Sequence, residues 1–199
     1  MERRGELERM VAPLLIWYEK NKKDLPWRTE ATPYHVWLSE IMLQQTRTTA
    51  VIPYYERFIC EFPSVSALAE VPDDALMKLW EGLGYYSRAR NLKKAARILM
   101  EDYGGRLPDT AEALRTLPGI GDYTAGAIAS IAFGRPEPAV DGNVLRTVMR
   151  FTGCADDIAA PATKKRVAEA LREIYPSGRD AGNLTQAIME LGENVCIPN

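Results

Sequence analysis

The sequence predicts an all-α protein. Apolar residues recur at helical spacing along most of the chain. No convincing alternation of apolar and polar residues marks a strand, and prolines and glycines interrupt the pattern about every dozen residues. Such punctuation predicts many short helices, which favours an irregular helical array over a long-helix bundle.

The first predicted helix is amphipathic and ends near Asn21. A second, mostly buried helix is expected over 34–45, because Thr32 is a good cap and Pro33 suits the first turn. Proline marks the expected starts of the next three helices, at Pro53, Pro63 and Pro72.

A Gly-Leu-Gly turn at 82–84 precedes a longer predicted helix, which the glycine pair at 104–105 ends. Asp109 followed by Glu112 is a capping-box pattern and predicts a short helix. Apolar periodicity predicts the remaining helices in four segments: 123–133, 144–151, 167–174 and 184–195.

The composition is that of a folded protein with one large or two small domains. Of 199 residues, 46% are hydrophobic and 26% charged, which argues against disorder. The net charge of −2 means that any nucleic-acid surface must be a local basic face. The charged N-terminus lacks an apolar signal region, and no apolar run approaches the roughly 18 residues of a membrane span.

These features predict an intracellular protein without a targeting signal or membrane segment. Its three cysteines, Cys60, Cys154 and Cys196, are odd in number and widely spaced. That pattern fits reduced thiols better than a disulfide framework.

A Pro-Gly-Ile-Gly turn at 118–121 begins the stretch with the clearest functional pattern. Gly119 and Gly121 allow close backbone approach, and the helix start that follows is a potential anion site. Asp141 lies about twenty residues farther on, before Gly142 and Asn143. A phosphate-binding hairpin followed by a carboxylate suggests nucleic acid, although Asp141 could equally be a simple helix cap.

Glu40 is the single acid of the apolar segment 33–46. Burial of a carboxyl raises its pKa and favours a proton donor near neutral pH, as a general acid requires. The alternative is a glutamate on the solvated edge of an amphipathic helix. Gln44, Gln45 and Thr46, which end the segment, could hydrogen-bond bases or form a frayed terminus.

A basic stretch follows Gly84 and contains no acid. Its five cationic residues are Arg88, Arg90, Lys93, Lys94 and Arg97. Such a face would bind phosphates, and the adjacent Tyr85 and Tyr86 could act as a planar wedge in a base step. A solvated basic helix with core tyrosines is the alternative.

Five blocks in this order resemble the helix-hairpin-helix DNA glycosylase superfamily, and within it the MutY adenine glycosylases. They are WLSEIMLQQT, GLGYYSRARNL, LPGIGDYTAGAI, VDGNVLR and LTQAIMELGENVC. The resemblance covers about residues 25–196. It implies two helical subdomains with the active site in the cleft between them: a six-helix barrel subdomain with the hairpin at 26–133, and an iron-sulfur-type subdomain formed by 1–25 and 134–199.

The resemblance implies a monofunctional enzyme that removes adenine mispaired with 8-oxoguanine or guanine in base excision repair. Glu40 matches the acid that protonates the base, and Asp141 matches the carboxylate that stabilises the cationic sugar. Asn143 would orient the catalytic groups. Tyr123 lies where lyase-competent relatives have a Schiff-base lysine, so no lyase step is expected.

The resemblance also assigns DNA contacts, since the target base must leave the duplex. Gln45 and Tyr85 would enter the base stack, with Thr46 and Arg88 among the DNA-binding residues. The adenine pocket would be lined by Trp27, Arg28, Leu43 and Gln186. The backbone of Gly119, Ile120 and Gly121 would bind phosphate.

Relatives hold a four-iron, four-sulfur cluster (4Fe–4S) with four cysteines, of which Cys196 matches only the first. The resemblance therefore implies a truncated chain that cannot build the cluster, which is expected in the complete protein. The expected partner is double-stranded DNA with A·8-oxoguanine or A·G mispairs, bound by a monomer in the cytoplasm, at the nucleoid. Two alternatives stay open: a thymine glycosylase acting on T·G mismatches and a non-catalytic DNA-binding fragment.

Overall fold

The computed structural model describes residues 4–198, and every regular element in that part of the chain is a helix. This confirms the predicted all-α class. The helices are α1 (Arg4–Asn21), α2 (Pro26–Thr29), α3 (Pro33–Leu43), α4 (Thr48–Glu61), α5 (Val65–Glu70), α6 (Asp73–Trp80), α7 (Ser87–Asp102), α8 (Ala111–Leu114), α9 (Asp122–Phe133), α10 (Gly142–Phe151), α11 (Pro161–Arg172) and α12 (Arg179–Asn194).

The described residues form two compact units. One consists of Asp24–Ile128, and the other combines the described parts of Met1–Lys23 and Ala129–Asn199. The resemblance implies that the first subdomain spans 26–133 and ends with α9. In the structure the boundary between the two units follows Ile128, inside α9.

The core of the Asp24–Ile128 unit is built around α3. Trp37 and Leu38 are fully buried, and α3 packs against α2, α4 and α7. Thr32 caps this helix, since its hydroxyl accepts a hydrogen bond from the His35 backbone N–H at 3.3 Å. The cap and Pro33 at the first position confirm the predicted start, although the helix ends at Leu43 rather than 45.

Helix α4 corrects the prediction that a helix begins at Pro53. It begins at Thr48, and Pro53 lies inside it. A proline at this position removes one helical hydrogen bond. The buried face of Val51, Tyr55 and Phe58 offsets that loss because it continues through the proline.

Two other local predictions differ from the structure. The cap of α8 is Thr110 rather than Asp109, because the Thr110 hydroxyl accepts from the Ala113 backbone N–H at 3.3 Å. The short helix α2 has no counterpart among the predicted elements; it is a single turn, too short to show periodicity.

The second unit has its own apolar core, formed by α1, α10, α11 and α12. Leu7, Leu14, Val144, Leu171 and Leu184 are among its buried residues. Helix α12 packs against both α1 and α10. Within residues 4–198, no helix is both long and apolar enough to cross a lipid bilayer.

Candidate functional site

The hairpin between α8 and α9 contains one glycine, Gly119, whose backbone and packing require the absence of a side chain. The Ile120 N–H donates to the Leu117 carbonyl at 3.2 Å, and Gly119 has a φ of 84°. A Cβ at Gly119 would lie 3.0 Å from the Asn91 Cβ on α7. Gly119 is therefore required both for its left-handed backbone and for close packing. Gly121 is exposed, with open space around its Cα hydrogens.

Gln44 ties the end of α3 to this hairpin. Its side-chain amide donates to the Thr124 hydroxyl at 3.3 Å and to the Gly119 carbonyl at 3.4 Å. The terminus of α3 is thus anchored rather than frayed. Gln45, the next residue, is exposed and has a φ of 57°.

Glu40 lies on the buried part of α3. Its exposed fraction is 7%, and its neighbours in sequence, Ser39 and Ile41, are buried too. The alternative of a glutamate on a solvated helix edge is therefore wrong. The catalytic role of the buried carboxyl stays a prediction.

The basic stretch of α7 exposes fewer cationic side chains than predicted. Arg88 is only 6% exposed and donates to main-chain carbonyls, so it does not present its charge on the surface. Lys93 is 7% exposed and forms an ion pair with Asp73. The exposed cations are Arg90, Lys94 and Arg97. The sequence alone could not show that Arg88 and Lys93 are buried, because the spacing of the cations does not reveal which face of α7 other elements cover.

Tyr85 and Tyr86 are both exposed, Tyr85 to 61%. The alternative that they are core tyrosines is therefore wrong. Tyr85 has a φ of 48°, a left-handed conformation that is uncommon for a residue with a side chain. Thr46 is half-buried, and its hydroxyl donates to the Gln44 carbonyl at 3.4 Å.

Three predicted pocket residues belong to the Asp24–Ile128 unit. Trp27 is buried on α2 with its ring 5.3 Å from that of Tyr55, in an edge-to-face arrangement. Arg28 follows it in the same turn, and Leu43 is the last residue of α3; both are half-buried. In the other unit, the half-buried Gln186 donates to the Gly182 carbonyl of its own helix α12.

Asp141 caps α10 and is oriented by Asn143. One carboxylate oxygen accepts from the Val144 backbone N–H at 2.8 Å, and the other accepts from the Asn143 amide at 3.1 Å. The helix-cap interpretation of Asp141 is therefore correct. It does not exclude a chemical role, since each carboxylate oxygen has further lone pairs. Tyr123 is half-buried in the first turn of α9.

Arg146 extends this network and was not among the predicted site residues. Its guanidinium donates to the Asn143 side-chain oxygen at 2.8 Å and to the carbonyls of Gly192 and Cys196, each at 2.7 Å. Its position three residues after Asn143, on the same helical face, was the available sequence signal.

The environment of Cys196 favours the thiolate. Partial burial raises the pKa of the thiol, but hydrogen bonding to Arg150, at 3.3 Å, and to Thr147, with the charges of Arg150 and Arg146, outweighs this effect. The pKa of Cys196 is therefore lowered from its ordinary value.

The described residues do not fit an iron-sulfur cluster by themselves. Between residues 4 and 198, no group of three or more His, Cys, Asp or Glu side chains is placed to hold a metal ion. Cys60 and Cys154 are free thiols, and the Cys154 thiol donates to the Asp156 carboxylate at 3.1 Å. Cys196 alone supplies one thiolate of the four that such a cluster takes.

The chain is similar to curated adenine DNA glycosylases. It is 43% identical to that of Homo sapiens, over 98% of this chain and 37% of the human protein. It is 41% identical to that of Buchnera aphidicola from Acyrthosiphon pisum, over 92% of this chain and 53% of the relative. For the Mycobacterium tuberculosis protein the identity is 37%, over 92% and 60%. The chain thus spans only part of each relative.

Solved structures show the same fold. A thermostable thymine-DNA glycosylase superposes with a TM-score of 0.86 and 27% identity, covering all of this chain and 91% of the other. Endonuclease III in a trapped covalent intermediate with DNA gives a TM-score of 0.80 over 98% and 88% of the two chains; at 23% identity it supports the fold alone. Residues 38–177 match the HhH-GPD superfamily base excision DNA repair protein family. The chain belongs to this superfamily, as its sequence blocks indicate.

Proposed function

We propose that this chain carries the catalytic region of a monofunctional DNA glycosylase that removes adenine mispaired with 8-oxoguanine or guanine. The observation that carries the proposal is Glu40, a carboxyl 7% exposed on a helix whose buried residues are otherwise mostly apolar. The identity of 37–43% to adenine DNA glycosylases over more than nine-tenths of the chain supports adenine as the target.

The chemistry begins with a proton. Adenine leaves poorly as an anion, so Glu40 donates its proton to a ring nitrogen while the bond from that base to the sugar breaks. The bonding electrons go to adenine, and the sugar becomes an oxocarbenium-like cation. Burial suits Glu40 for this step because it disfavours the ionised carboxylate. Water then adds to the sugar and returns a proton to Glu40.

Asp141 stabilises the cationic sugar in the same reaction, as the second carboxylate does in glycoside hydrolysis. Asn143 fixes its orientation through the 3.1 Å hydrogen bond. Tyr123 has no amine with which to form a Schiff base, so the proposed reaction is hydrolysis without a lyase step. Borohydride is therefore expected to trap no amine-linked adduct with DNA.

The partner of this chain, we infer, is double-stranded DNA, with the target adenine turned out of the stack. Gln45 and Tyr85 would occupy the stack, and their exposure supports that role. The hairpin Gly119–Gly121 would bind phosphate through its backbone. Trp27, Arg28, Leu43 and Gln186 would contact adenine, and Thr46 would lie beside the DNA. The protein would act as a monomer in the cytoplasm, at the nucleoid.

A cluster belongs to the proposal only for a longer protein. Cys196 would supply one of four thiolates, with the other three from cysteines of that longer protein. The steps assigned to Glu40, Asp141 and Asn143 do not depend on it.

A duplex with adenine opposite 8-oxoguanine tests this function. The protein should release adenine, and Glu40→Gln, which keeps the size of the side chain but has no proton to give, should release none. The likeness to a thymine-DNA glycosylase makes a T·G duplex the necessary comparison. Release of thymine without release of adenine would contradict the adenine assignment, and binding without release of either base would indicate a non-catalytic DNA-binding module.

A further inference from the structure

Arg88 is a buried cation whose guanidinium donates hydrogen bonds to two separate segments, the end of α3 with the residues just after it and the loop 81–86. One terminal nitrogen donates to the carbonyls of Ile41 and Met42, at 3.1 and 2.7 Å, and to that of Gln44 at 2.7 Å. The other donates to the Thr46 hydroxyl at 3.2 Å. It also donates to two acceptors in the 81–86 loop: the carbonyls of Leu83 at 2.9 Å and Gly84 at 3.2 Å.

These acceptors flank the two residues with left-handed backbones. Between residues 4 and 198, Gln45 and Tyr85 are the non-glycine residues with positive φ, at 57° and 48°. Gln45 lies between two Arg88 acceptors, the carbonyl of Gln44 and the hydroxyl of Thr46. Tyr85 follows a third, the Gly84 carbonyl, and its own carbonyl accepts from the Arg88 backbone N–H at 2.9 Å.

The charge and shape of the guanidinium suit this position. The carbonyls of Ile41 and Met42 belong to the C-terminal turn of α3, where a cation is favoured by the helix dipole. The guanidinium carbon lies 5.4 Å from the centre of the Trp80 ring and 5.6 Å from that of Tyr85. Lysine has a single terminal nitrogen, so it cannot donate at once to the end of α3 and to the loop 81–86 as the guanidinium does.

Burial separates Arg88 from the exposed cations of α7. At 6% exposure it has no surface to offer a phosphate, whereas Arg90 and Lys94 are exposed on the same helix. Left-handed conformations of residues with side chains persist only where their surroundings hold them, and such residues concentrate at functional sites.

We propose that Arg88 is a positioning residue that holds Gln45 and Tyr85 in left-handed conformations, ready to enter the base stack when the duplex is distorted. This inference rests on the proposed function, which assigns these two side chains to the stack. Arg88 itself touches neither the target base nor the reacting atoms.

Salt dependence distinguishes positioning from phosphate contact. A lost phosphate contact lowers the slope of log Kd against log salt by about one. Arg88→Gln should leave that slope unchanged. The single-turnover rate of adenine release should fall roughly tenfold or more, because Gln45 and Tyr85 are misplaced. Arg106→Gln removes the same charge from an exposed loop of the same unit and should change neither quantity. A slope lowered by about one in Arg88→Gln would overturn the proposal.

The Thr46 pair tests the same contact without altering a buried charge. Thr46→Val removes one acceptor of Arg88 at nearly constant volume, whereas Thr46→Ser keeps the hydroxyl. Fluorescence of 2-aminopurine beside the mispair reports unstacking of the duplex and needs no chemistry. We expect a smaller fluorescence increase with Thr46→Val and at least partial recovery with Thr46→Ser.

Equal fluorescence increases in wild type, Thr46→Val and Arg88→Lys, with all three folded by circular dichroism, would overturn the positioning role. A wild-type protein that unstacks the duplex but releases no adenine would instead contradict the proposed function. In that case the fluorescence comparison of Arg88→Lys with the wild type would still decide the positioning role, because it needs no adenine release.

Discussion

Asn143 donates a hydrogen bond from its amide nitrogen to one carboxylate oxygen of Asp141 over 3.1 Å, while the other oxygen caps α10. The oxygen of the same Asn143 side chain accepts a hydrogen bond from Arg146. The Arg146 guanidinium also donates to the main-chain carbonyls of Gly192 and Cys196. The orientation of the Asp141 carboxylate is therefore linked through two side chains to the end of α12.

Asp141→Asn and Asp141→Ala should separate capping from chemistry. Asparagine caps helices about as well as aspartate, so Asp141→Asn should keep the stability of the protein but lose adenine release, because the negative charge is gone. Asp141→Ala should lose release and also about 1 kcal/mol of unfolding free energy. Single-turnover assays and urea denaturation measure the two effects. Substantial release by Asp141→Asn would show that the carboxylate acts only as a cap.

The close approach of α12 to Asn143 predicts a strong effect of Gly192→Ala. A Cβ at this position would lie 2.7 Å from the Asn143 Cβ and 3.1 Å from its carbonyl oxygen. The clash should cost roughly 1–3 kcal/mol and displace Asn143 from Asp141, so that adenine release slows as well. Gly5→Ala is the matched control: its Cβ meets open space in α1, and alanine there should be neutral or stabilising. Unchanged stability of Gly192→Ala in urea denaturation would show that α12 can shift without cost.

Sequence patterns predicted most of the helices, because helix formation depends largely on local signals. Thr32 with Pro33 predicted the start of α3. The pattern around Glu40 left open whether this carboxyl is buried or solvated, and only the structure shows that it is buried. The start of α4 was predicted wrongly, since proline is a good first residue but is also tolerated where packing offsets one lost hydrogen bond.

The hydrogen-bond networks of Arg88 and Arg146 could not be predicted in full from the sequence. Arg88 and Arg90 are two residues apart in the same basic stretch, yet one is buried among carbonyls and the other exposed. The difference depends on which face of α7 meets α3 and the 81–86 loop, a tertiary property. For the same reason only the contact of Arg146 with Asn143 had a sequence signal, because its carbonyl acceptors Gly192 and Cys196 lie about fifty residues away.

The two hairpin glycines should respond differently to alanine. Gly119→Ala must accommodate both a φ of 84° and a Cβ 3.0 Å from Asn91, so it should destabilise the hairpin by about 1–2 kcal/mol and weaken duplex binding. Gly121→Ala meets open space without positive φ and should retain stability. Thermal unfolding and fluorescence anisotropy with a labelled duplex compare them. Equal stability of both variants would show that the hairpin backbone can relax.

Alkaline pH should destabilise the Asp24–Ile128 unit through its buried tyrosines. Burial, with a smaller contribution from the negative charge of Glu30, raises the pKa of Tyr55 to about 12. Burial also raises the pKa of Tyr34. A raised pKa in the folded state means that the unfolded chain loses its proton first. The stabilising contribution is therefore complete below about pH 10 and is lost as the pH rises through 12.

We expect the unfolding free energy to fall by roughly 1–3 kcal/mol between pH 10 and 12 because of Tyr55. Tyr55→Phe removes this titration and should flatten the dependence, measured by urea denaturation across that range. Tyr86→Phe removes an exposed hydroxyl and serves as the control, since its slope should match that of the wild type. An unchanged slope in Tyr55→Phe would place the alkaline loss of stability elsewhere, because a tyrosine whose pKa is the same folded and unfolded contributes nothing to it.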